Sequence, residues 1–151
     1  MLNRLHGVFK SLGKNDVRYL VIGGIAAVLH GVPRATFDLD ILIQATPDNA
    51  ARLLKALDEA GLGTASLTTV QSLLDHEISV FEDYVRIDVQ TRTPGIHFDE
   101  AWQAREVMEY QGQKLFVASR KDLIASKRAA GRKVDLEDVR LLELGGDQSK
   151  P

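Results

Sequence analysis

Residues 37–43, with the sequence FDLDILI, alternate in a way that restricts the fold more than any other segment of the chain. In an extended strand, successive side chains point to opposite faces, so one face is apolar throughout and the other carries Asp38, Asp40 and Leu42. The apolar face has to be covered by other elements; it consists of Phe37, Leu39, Ile41 and Ile43. The segment therefore predicts a strand in a sheet that is packed on one face and carries two carboxylates on the other.

The rest of the chain alternates between helical and strand patterns. Apolar residues three and four apart, with capping residues at the ends, predict helices over 2–12, 25–30, 46–61, 98–105, 119–131 and 135–145. Runs of β-branched and aromatic residues predict strands over 18–22, 78–81 and 84–90, and a small hairpin over 107–117. We expect Gly13 to end the first helix, Gly145-Gly146 to end the last, and 63–76 to form a loop with a short helix.

This mixture of helices and locally paired strands favours the α+β class, with a small mixed β-sheet flanked by helices and with helices at the C-terminal end. The length of 151 residues and the lack of a long linker favour one domain over 1–146. Residues 147–151 are expected to form a disordered tail.

Composition excludes several classes of function. The chain has no cysteine, which rules out disulfides, thiolate nucleophiles and cysteine-ligated metal sites. Its formal net charge of -2 gives no global attraction to nucleic acid or to a membrane surface, so any site for a polyanion has to be local. No apolar run is long enough to span a bilayer. We expect a cytoplasmic protein without a membrane partner.

Asp38 and Asp40 are the residues that carry the clearest chemical signal. They are two apart on a strand, so they lie on one face at about 6.5–7 Å along the chain. In the strand predicted over 84–90, the same alternation sends Asp88 outward; if the two strands are neighbours, the three carboxylates converge. Such a group is stabilised by protonation, a basic partner or a bound cation. Hard divalent cations prefer carboxylate oxygens, and a pair of them about 3.5–4 Å apart promotes attack at phosphorus.

The same acids have a simpler interpretation, as solvent-facing residues on a half-exposed sheet with Arg86 pairing one of them. Two aspartates in a strand that is otherwise apolar favour a site, because aspartate is disfavoured in strands.

Gly23-Gly24 lies between a predicted buried strand and the start of a helix. Backbone N–H groups at such a turn can hold a phosphate, and glycine allows the phosphate to approach the main chain closely. The alternative is a tight turn without a ligand. Arg34 likewise either reaches a phosphate or braces the loop after Pro33.

Residues 23–41, GGIAAVLHGVPRATFDLDI, resemble the signature of the DNA polymerase β-like nucleotidyltransferase superfamily. A glycine pair, a short helix and a strand with two aspartates recur there in this order, with a third acid on a later strand. The histidine-glycine pair, the arginine and the threonine ahead of the acids are similar to those of abortive-infection-type nucleotidyltransferases of bacterial toxin–antitoxin systems. The stretch 123–139 resembles the C-terminal helices of these proteins.

The resemblance implies a Mg²⁺-dependent enzyme that moves a nucleoside monophosphate from an NTP to an acceptor hydroxyl of RNA, tRNA or protein and releases pyrophosphate. Asp38, Asp40 and Asp88 would be the catalytic and metal-binding residues, with two Mg²⁺ ions, or Mn²⁺ in their place, and with Asp88 as the general base. The nucleotide would be bound by Gly23, Gly24, Arg34, Thr36 and Lys127.

Two departures from the family pattern leave other functions open. Many active members have Gly-Ser where this chain has Gly-Gly, and many toxins carry a larger helical domain that selects the acceptor. We therefore expect a partner protein, such as a cognate antitoxin, or a homodimer to assist acceptor recognition. The first alternative is a catalytically silent module that binds nucleotides or proteins. The second is a structural domain whose acids are surface residues.

Overall fold

The structure is a computed structural model, and it describes residues 2–148 and the side chains of residues 2–145. Its strands are β1 (Tyr19–Ile22), β2 (Asp38–Ile43), β3 (Ile78–Glu82), β4 (Arg86–Gln90), β5 (Glu106–Tyr110) and β6 (Gln113–Val117). Its helices are α1 (Leu2–Lys14), α2 (Gly23–Leu29), α3 (Pro47–Glu59), α4 (Val70–Asp75), α5 (Phe98–Gln103), α6 (Arg120–Ala130) and α7 (Lys133–Gln148), with a 3-10 helix over Gly63–Leu67.

The six strands form one mixed sheet in the order β3-β4-β2-β1-β6-β5. β1 pairs antiparallel with β2 and parallel with β6, while β2 pairs parallel with β4. The two outer pairs, β3 with β4 and β5 with β6, are local hairpins. The hairpin signals in the sequence are therefore correct, and the parallel β2–β4 pairing brings together strands that are distant along the chain.

The two faces of the sheet are covered unequally. Alternate residues of β1, β2 and β4 pack into a large core with α1, α2 and α3; among them are Val21, Leu39, Ile41 and Ile87. On the opposite face a smaller cluster of Leu20, Ile22, Leu42, Ile96, Ala101 and Ala118 covers the middle of the sheet. This second face is open toward β3, because Ile78 and Val80 there are about half exposed. The acids of β2 and β4 lie on this open face.

The structure corrects three expectations about local structure. Phe37 precedes β2 and is 73% exposed, so it does not share the buried face of Leu39 and Ile41. α1 continues past Gly13 to Lys14, and Asp16 with φ of 52° makes the reversal instead.

α7 passes through Gly145-Gly146 and reaches Gln148. A β-carbon at position 145 would lie 2.8 Å from Nη1 of Arg120, which donates to the carbonyl of Leu142. The glycine therefore allows a close approach by Arg120 instead of ending the helix. The expected tail 147–151 thus begins inside α7, and its residues 149–151 lie outside the described residues.

Within residues 2–148, no helix combines the length and the apolar character needed to cross a bilayer.

Candidate active site

The carboxylates of β2 and β4 lie side by side because these strands pair in parallel. Asp40 is directly opposite Asp88, and Asp38 is opposite Arg86. Paired residues on adjacent strands are about 4.8 Å apart and point to the same face. Asp38, Asp40 and Asp88 therefore share the open face of the sheet, as the sequence pattern predicts. We call these three residues the carboxylate row.

Arg86 contacts two members of the carboxylate row. Its Nε donates to Oδ1 of Asp88 at 3.0 Å and lies 4.0 Å from Oδ2 of Asp38. A third acid, Glu82, is 3.9 Å from its Nη1. Arg86 is thus a basic partner for one end of the row, and the sequence indicates it directly, because it lies two residues before Asp88 on the same face.

Asp40 is the member of the row without such a partner. It forms no ion pair with any side chain in the described part of the protein, and two acids, Asp88 and Asp38, lie beside it. Burial, followed by the negative charges of Asp88 and Asp38, raises the pKa of Asp40 to about 7. The positive charges of Lys127 and Arg132 act in the opposite direction, but their effects on this pKa are smaller. The position of Asp40 therefore favours a positive charge that the protein itself supplies only in part.

The glycine pair adjoins Asp40. Gly23 begins α2 with φ of +69°, and a β-carbon there would lie 2.4 Å from Oδ2 of Asp40. A β-carbon on Gly24 would lie 2.7 Å from Oγ1 of Thr36 and 3.6 Å from Nη2 of Arg34. Gly23 thus excludes any larger side chain, and a side chain at Gly24 would have to displace the hydroxyl of Thr36. The turn lies between Asp40 and the loop that carries Arg34 and Thr36.

Arg34 and Lys127 are already paired with carboxylates. Nζ of Lys127 lies 2.8 Å from Oδ2 of Asp138 and 3.8 Å from Oδ1 of Asp135, and Nη1 of Arg34 lies 2.6 Å from the same oxygen of Asp138. The side chains of Lys127, Asp135 and Asp138 are at most 5% exposed. We call these four residues the buried ion cluster. It joins the loop before β2 to α6 and α7.

Arg132 is the cation near Asp40 that remains open to solvent. Its guanidinium binds Asp135 at 2.7 Å, but 73% of its side chain is exposed. Although burial alone would raise the pKa of Asp135, the hydrogen bond and charge of Arg132, assisted by Lys127, lower it. The family resemblance indicates Lys127 in this region, whereas Arg132, Asp135 and Asp138 are not among the site residues expected from the sequence. Their signal is the i, i+3 spacing of the two acids, which puts them on one face of α7.

Two cavities lie in this region, one at Gly23 and one at the loop that carries Arg34 and Thr36. One, of about 130 Å³, is lined by Gly23, Asp40, Lys127, Arg132 and Asp135, among others. The other, of about 460 Å³, lies beside Arg34 and Thr36 and is largely apolar, with Phe37 at its edge. The first is small, polar and charged, whereas the second is wide enough for a planar apolar group.

The donor set of the carboxylate row fits a divalent cation. Arg86 takes one oxygen each of Asp38 and Asp88, so the second oxygen of each and both oxygens of Asp40 remain as hard ligands. Burial and then the charges of Asp88 and Asp38 raise the pKa of Asp40, so a bound cation would offset a repulsion that the protein leaves in place. In the described residues, however, no three acidic or histidine side chains are arranged as a ready ligand group. A cation at the row would share Asp38 and Asp88 with Arg86.

Comparison with known proteins shows the family of the chain, and a solved structure shows a similar fold. A sequence model of the family described as "Nucleotidyltransferase of unknown function (DUF6036)" matches residues 2–147. The fold is similar to the crystal structure of a Thermotoga maritima protein described as a "putative nucleotidyltransferase", with a TM-score of 0.56 and 16% identity over 97% of this chain and 92% of that chain. At this identity the likeness concerns the fold alone, and it confirms the expected class. No curated protein matches the chain.

Proposed function

Since the chain belongs to the nucleotidyltransferase family DUF6036, we propose that it transfers a nucleoside monophosphate from an NTP to an acceptor hydroxyl and releases pyrophosphate. We further propose that the reaction depends on Mg²⁺, with Mn²⁺ as a substitute. The observation that carries this proposal is the carboxylate row beside the glycine turn, with Asp40 short of positive charge.

Asp38, Asp40 and Asp88 are the residues that would hold the cation. When bound, Mg²⁺ neutralises charge on the phosphates and makes the acceptor hydroxyl more acidic. The acceptor oxygen attacks the α-phosphorus, and the bond from that phosphorus to the bridging oxygen of pyrophosphate breaks. Asp88 is the proposed acceptor for the hydroxyl proton, since its carboxylate keeps one oxygen free of Arg86.

The phosphates of the NTP would lie at Gly23 and Gly24, where the missing β-carbons leave the main chain accessible. Arg132 is the proposed cationic contact, since its guanidinium is exposed and close to Asp40. Lys127, with its amine enclosed between Asp135 and Asp138, supports the site by fixing α6 against α7. Arg34 and Thr36 line the larger of the two cavities, which would hold the nucleoside.

The acceptor is RNA, tRNA or a protein hydroxyl in this proposal. A role in a toxin–antitoxin system, a partner protein or homodimer that assists acceptor recognition, and a cytoplasmic location remain predictions from the sequence.

The test is transfer of label from each α-labelled NTP, with Mg²⁺, to a mixture of tRNA and cell protein. Asp38→Ala combined with Asp40→Ala should abolish transfer while the far-ultraviolet circular dichroism spectrum stays unchanged. Asp58→Ala, an exposed aspartate on α3, is the matched control and should keep full transfer. Retained transfer by the double variant would refute the site.

A second candidate function is nucleotide binding without turnover. Two observations favour it: Arg86 is bound to Asp88, and Lys127 is occupied by two acids. This alternative predicts that Mg²⁺ and NTP bind together, as measured by calorimetry, but that no pyrophosphate is released with any acceptor.

A further inference from the structure

β3 forms one edge of the sheet, next to the strand that carries Asp88. Natural proteins usually protect such an edge with lysine, proline or a covering segment, because its unpaired backbone groups can bind another strand. β3 contains neither lysine nor proline in its sequence, ISVFE. Ile78 and Val80 are 50% and 49% exposed, and the adjoining 3-10 helix carries Leu67, which is 85% exposed.

The hydrogen bonds at the two ends of the β3–β4 ladder show which backbone groups point outward. Thr91 donates its N–H to the carbonyl of Glu77, and Asp83 donates to that of Val85, each at 3.0 Å. Bonded and non-bonded pairs alternate in an antiparallel ladder, so Ser79 and Phe81 also bond to β4. The N–H and carbonyl groups of Ile78, Val80 and Glu82 therefore face away from the sheet.

The segment around this edge is strongly acidic. Residues 75–83 contain Asp75, Glu77, Glu82 and Asp83 and no lysine or arginine. All four acids are exposed, and only Glu77 and Glu82 have a basic partner among the described residues, Arg92 and Arg86, each at 3.9 Å. A second copy of the chain at this edge would bring two acidic segments together, and an RNA would add its own negative charge. Charge complementarity favours a basic occupant.

We propose that the outer edge of β3 is a docking site for an extended, positively charged segment of a partner protein, which adds to the sheet as a seventh strand. Backbone hydrogen bonds to Ile78, Val80 and Glu82 supply the pairing, and Asp75 and Asp83 select basic residues. The added strand lies about 9–10 Å from β4, two strand spacings away. The proposal of this docking site does not depend on whether the protein transfers nucleotides.

The test is fluorescence anisotropy with a labelled nine-residue peptide of alternating lysine and valine, compared with the same peptide in which glutamate replaces lysine. Val80→Pro removes one outward N–H without touching a bond to β4 and should weaken binding of the lysine peptide at least about tenfold. Hydrogen exchange at Ile78 and Val80 should slow when the peptide binds, while exchange at Ser79 stays unchanged.

The other edge strand offers a matched control. Gln111 and Gly112 form a two-residue turn with φ of 49° and 80°, so Tyr110 and Gln113 are a bonded pair and Val107 points its N–H outward. Val107 is 54% exposed, similar to Val80, but residues 104–112 carry only one net negative charge. Val107→Pro should leave peptide binding unchanged.

A second pair of variants keeps the test valid if Val80→Pro unfolds. Ile78→Lys with Val80→Lys retains every backbone bond and should also abolish binding, whereas Asp75→Lys with Asp83→Lys should reverse the preference to the glutamate peptide. Equal binding of both peptides by the wild type, unchanged binding by the β3 variants, or competition by an oligouridine RNA would overturn the proposal. Nucleotide transfer is measured separately. A protein that binds the peptide but transfers no nucleotide would therefore refute the proposed function and leave the docking site intact.

Discussion

Asp40 is the residue whose charge the surrounding structure balances least. It is half-buried, it lies beside Asp88 and near Asp38, and its pKa is raised to about 7. An ionisable group under these conditions lowers the stability of the protein whenever it is charged. The repulsion among Asp40, Asp88 and Asp38 lowers the stability of the folded protein. The same repulsion favours a bound cation, which would remove it.

We predict that Asp40→Asn raises the thermal stability of the protein without divalent cations at pH 8. The raised pKa means that the folded state holds its proton more tightly than the unfolded state, so wild-type stability falls as pH rises from about 4 to about 7. Relief of one pKa unit is worth about 1.4 kcal/mol, which raises the melting temperature of a domain of this size by about 3–6 °C.

Melting temperatures at pH 8 and pH 4 measure this effect, and the difference between variant and wild type should shrink at pH 4. Asp58→Asn, at an exposed position on α3, should change neither value. A variant that melts below the wild type at pH 8 would contradict the electrostatic interpretation.

Gly23 should not tolerate alanine, for two independent reasons. Its φ of +69° strains any side chain, and the added β-carbon would lie 2.4 Å from Asp40. We predict a loss of about 1–3 kcal/mol in the free energy of unfolding, measured with urea. Gly7→Ala is the control, since nothing lies within 4 Å of a β-carbon there and the helix should gain about 0.5–1 kcal/mol. Equal effects of the two substitutions would show that Gly23 is only a flexible joint.

Among the elements, β1, β2, β4, α3 and α6 could be predicted from the sequence because local signals agree with their packing. Thr46 caps α3 and Ser119 caps α6 as expected, and Gly131 ends α6 with φ of +69°. The ends of α1 and α7 could not be predicted, because there a glycine within the helix is compatible with helical geometry and Asp16 makes a turn usually made by glycine. The strand order could not be predicted either, since the pairing of β2 with β4 depends on contacts between distant residues.

The candidate site likewise has one part that the sequence predicts and one part that it does not. The alternation within two strands predicts the common face of Asp38, Asp40 and Asp88. The partners of Arg34 and Lys127 depend on how α7 packs, and no local pattern around either residue indicates Asp138. The buried ion cluster therefore depends on how whole helices pack against one another, and local sequence patterns do not predict it.

We predict that Asp138→Ala unfolds at a lower urea concentration, with a loss of about 3–5 kcal/mol, because it leaves Lys127 and Arg34 without their shared carboxylate. The neighbouring Glu137 forms an exposed pair with Arg140, and Glu137→Ala should cost less than about 1 kcal/mol. A small effect at Asp138 would mean that water or other groups compensate the cluster.

Across the whole molecule, the two faces of the sheet are covered unequally, and this leaves room for the proposed site on one of them. One face is filled by the main core, and the other is left open around the carboxylate row and the β3 edge.

We predict that Mg²⁺ and an NTP added together stabilise the protein by about 2.7 kcal/mol at a hundredfold excess over Kd. Asp38→Asn combined with Asp40→Asn should lose this increase in Tm, and stabilisation of that variant by the same mixture would indicate binding elsewhere.

The central claim, that the carboxylate row holds a divalent cation next to the glycine turn, is tested most directly by crystals grown with Mn²⁺ and an NTP analogue that cannot be cleaved between its α- and β-phosphates. The account predicts an anomalous difference peak bounded by Asp38, Asp40 and Asp88, with the phosphates against Gly23 and Gly24. An ordered nucleotide without manganese at these carboxylates would contradict it.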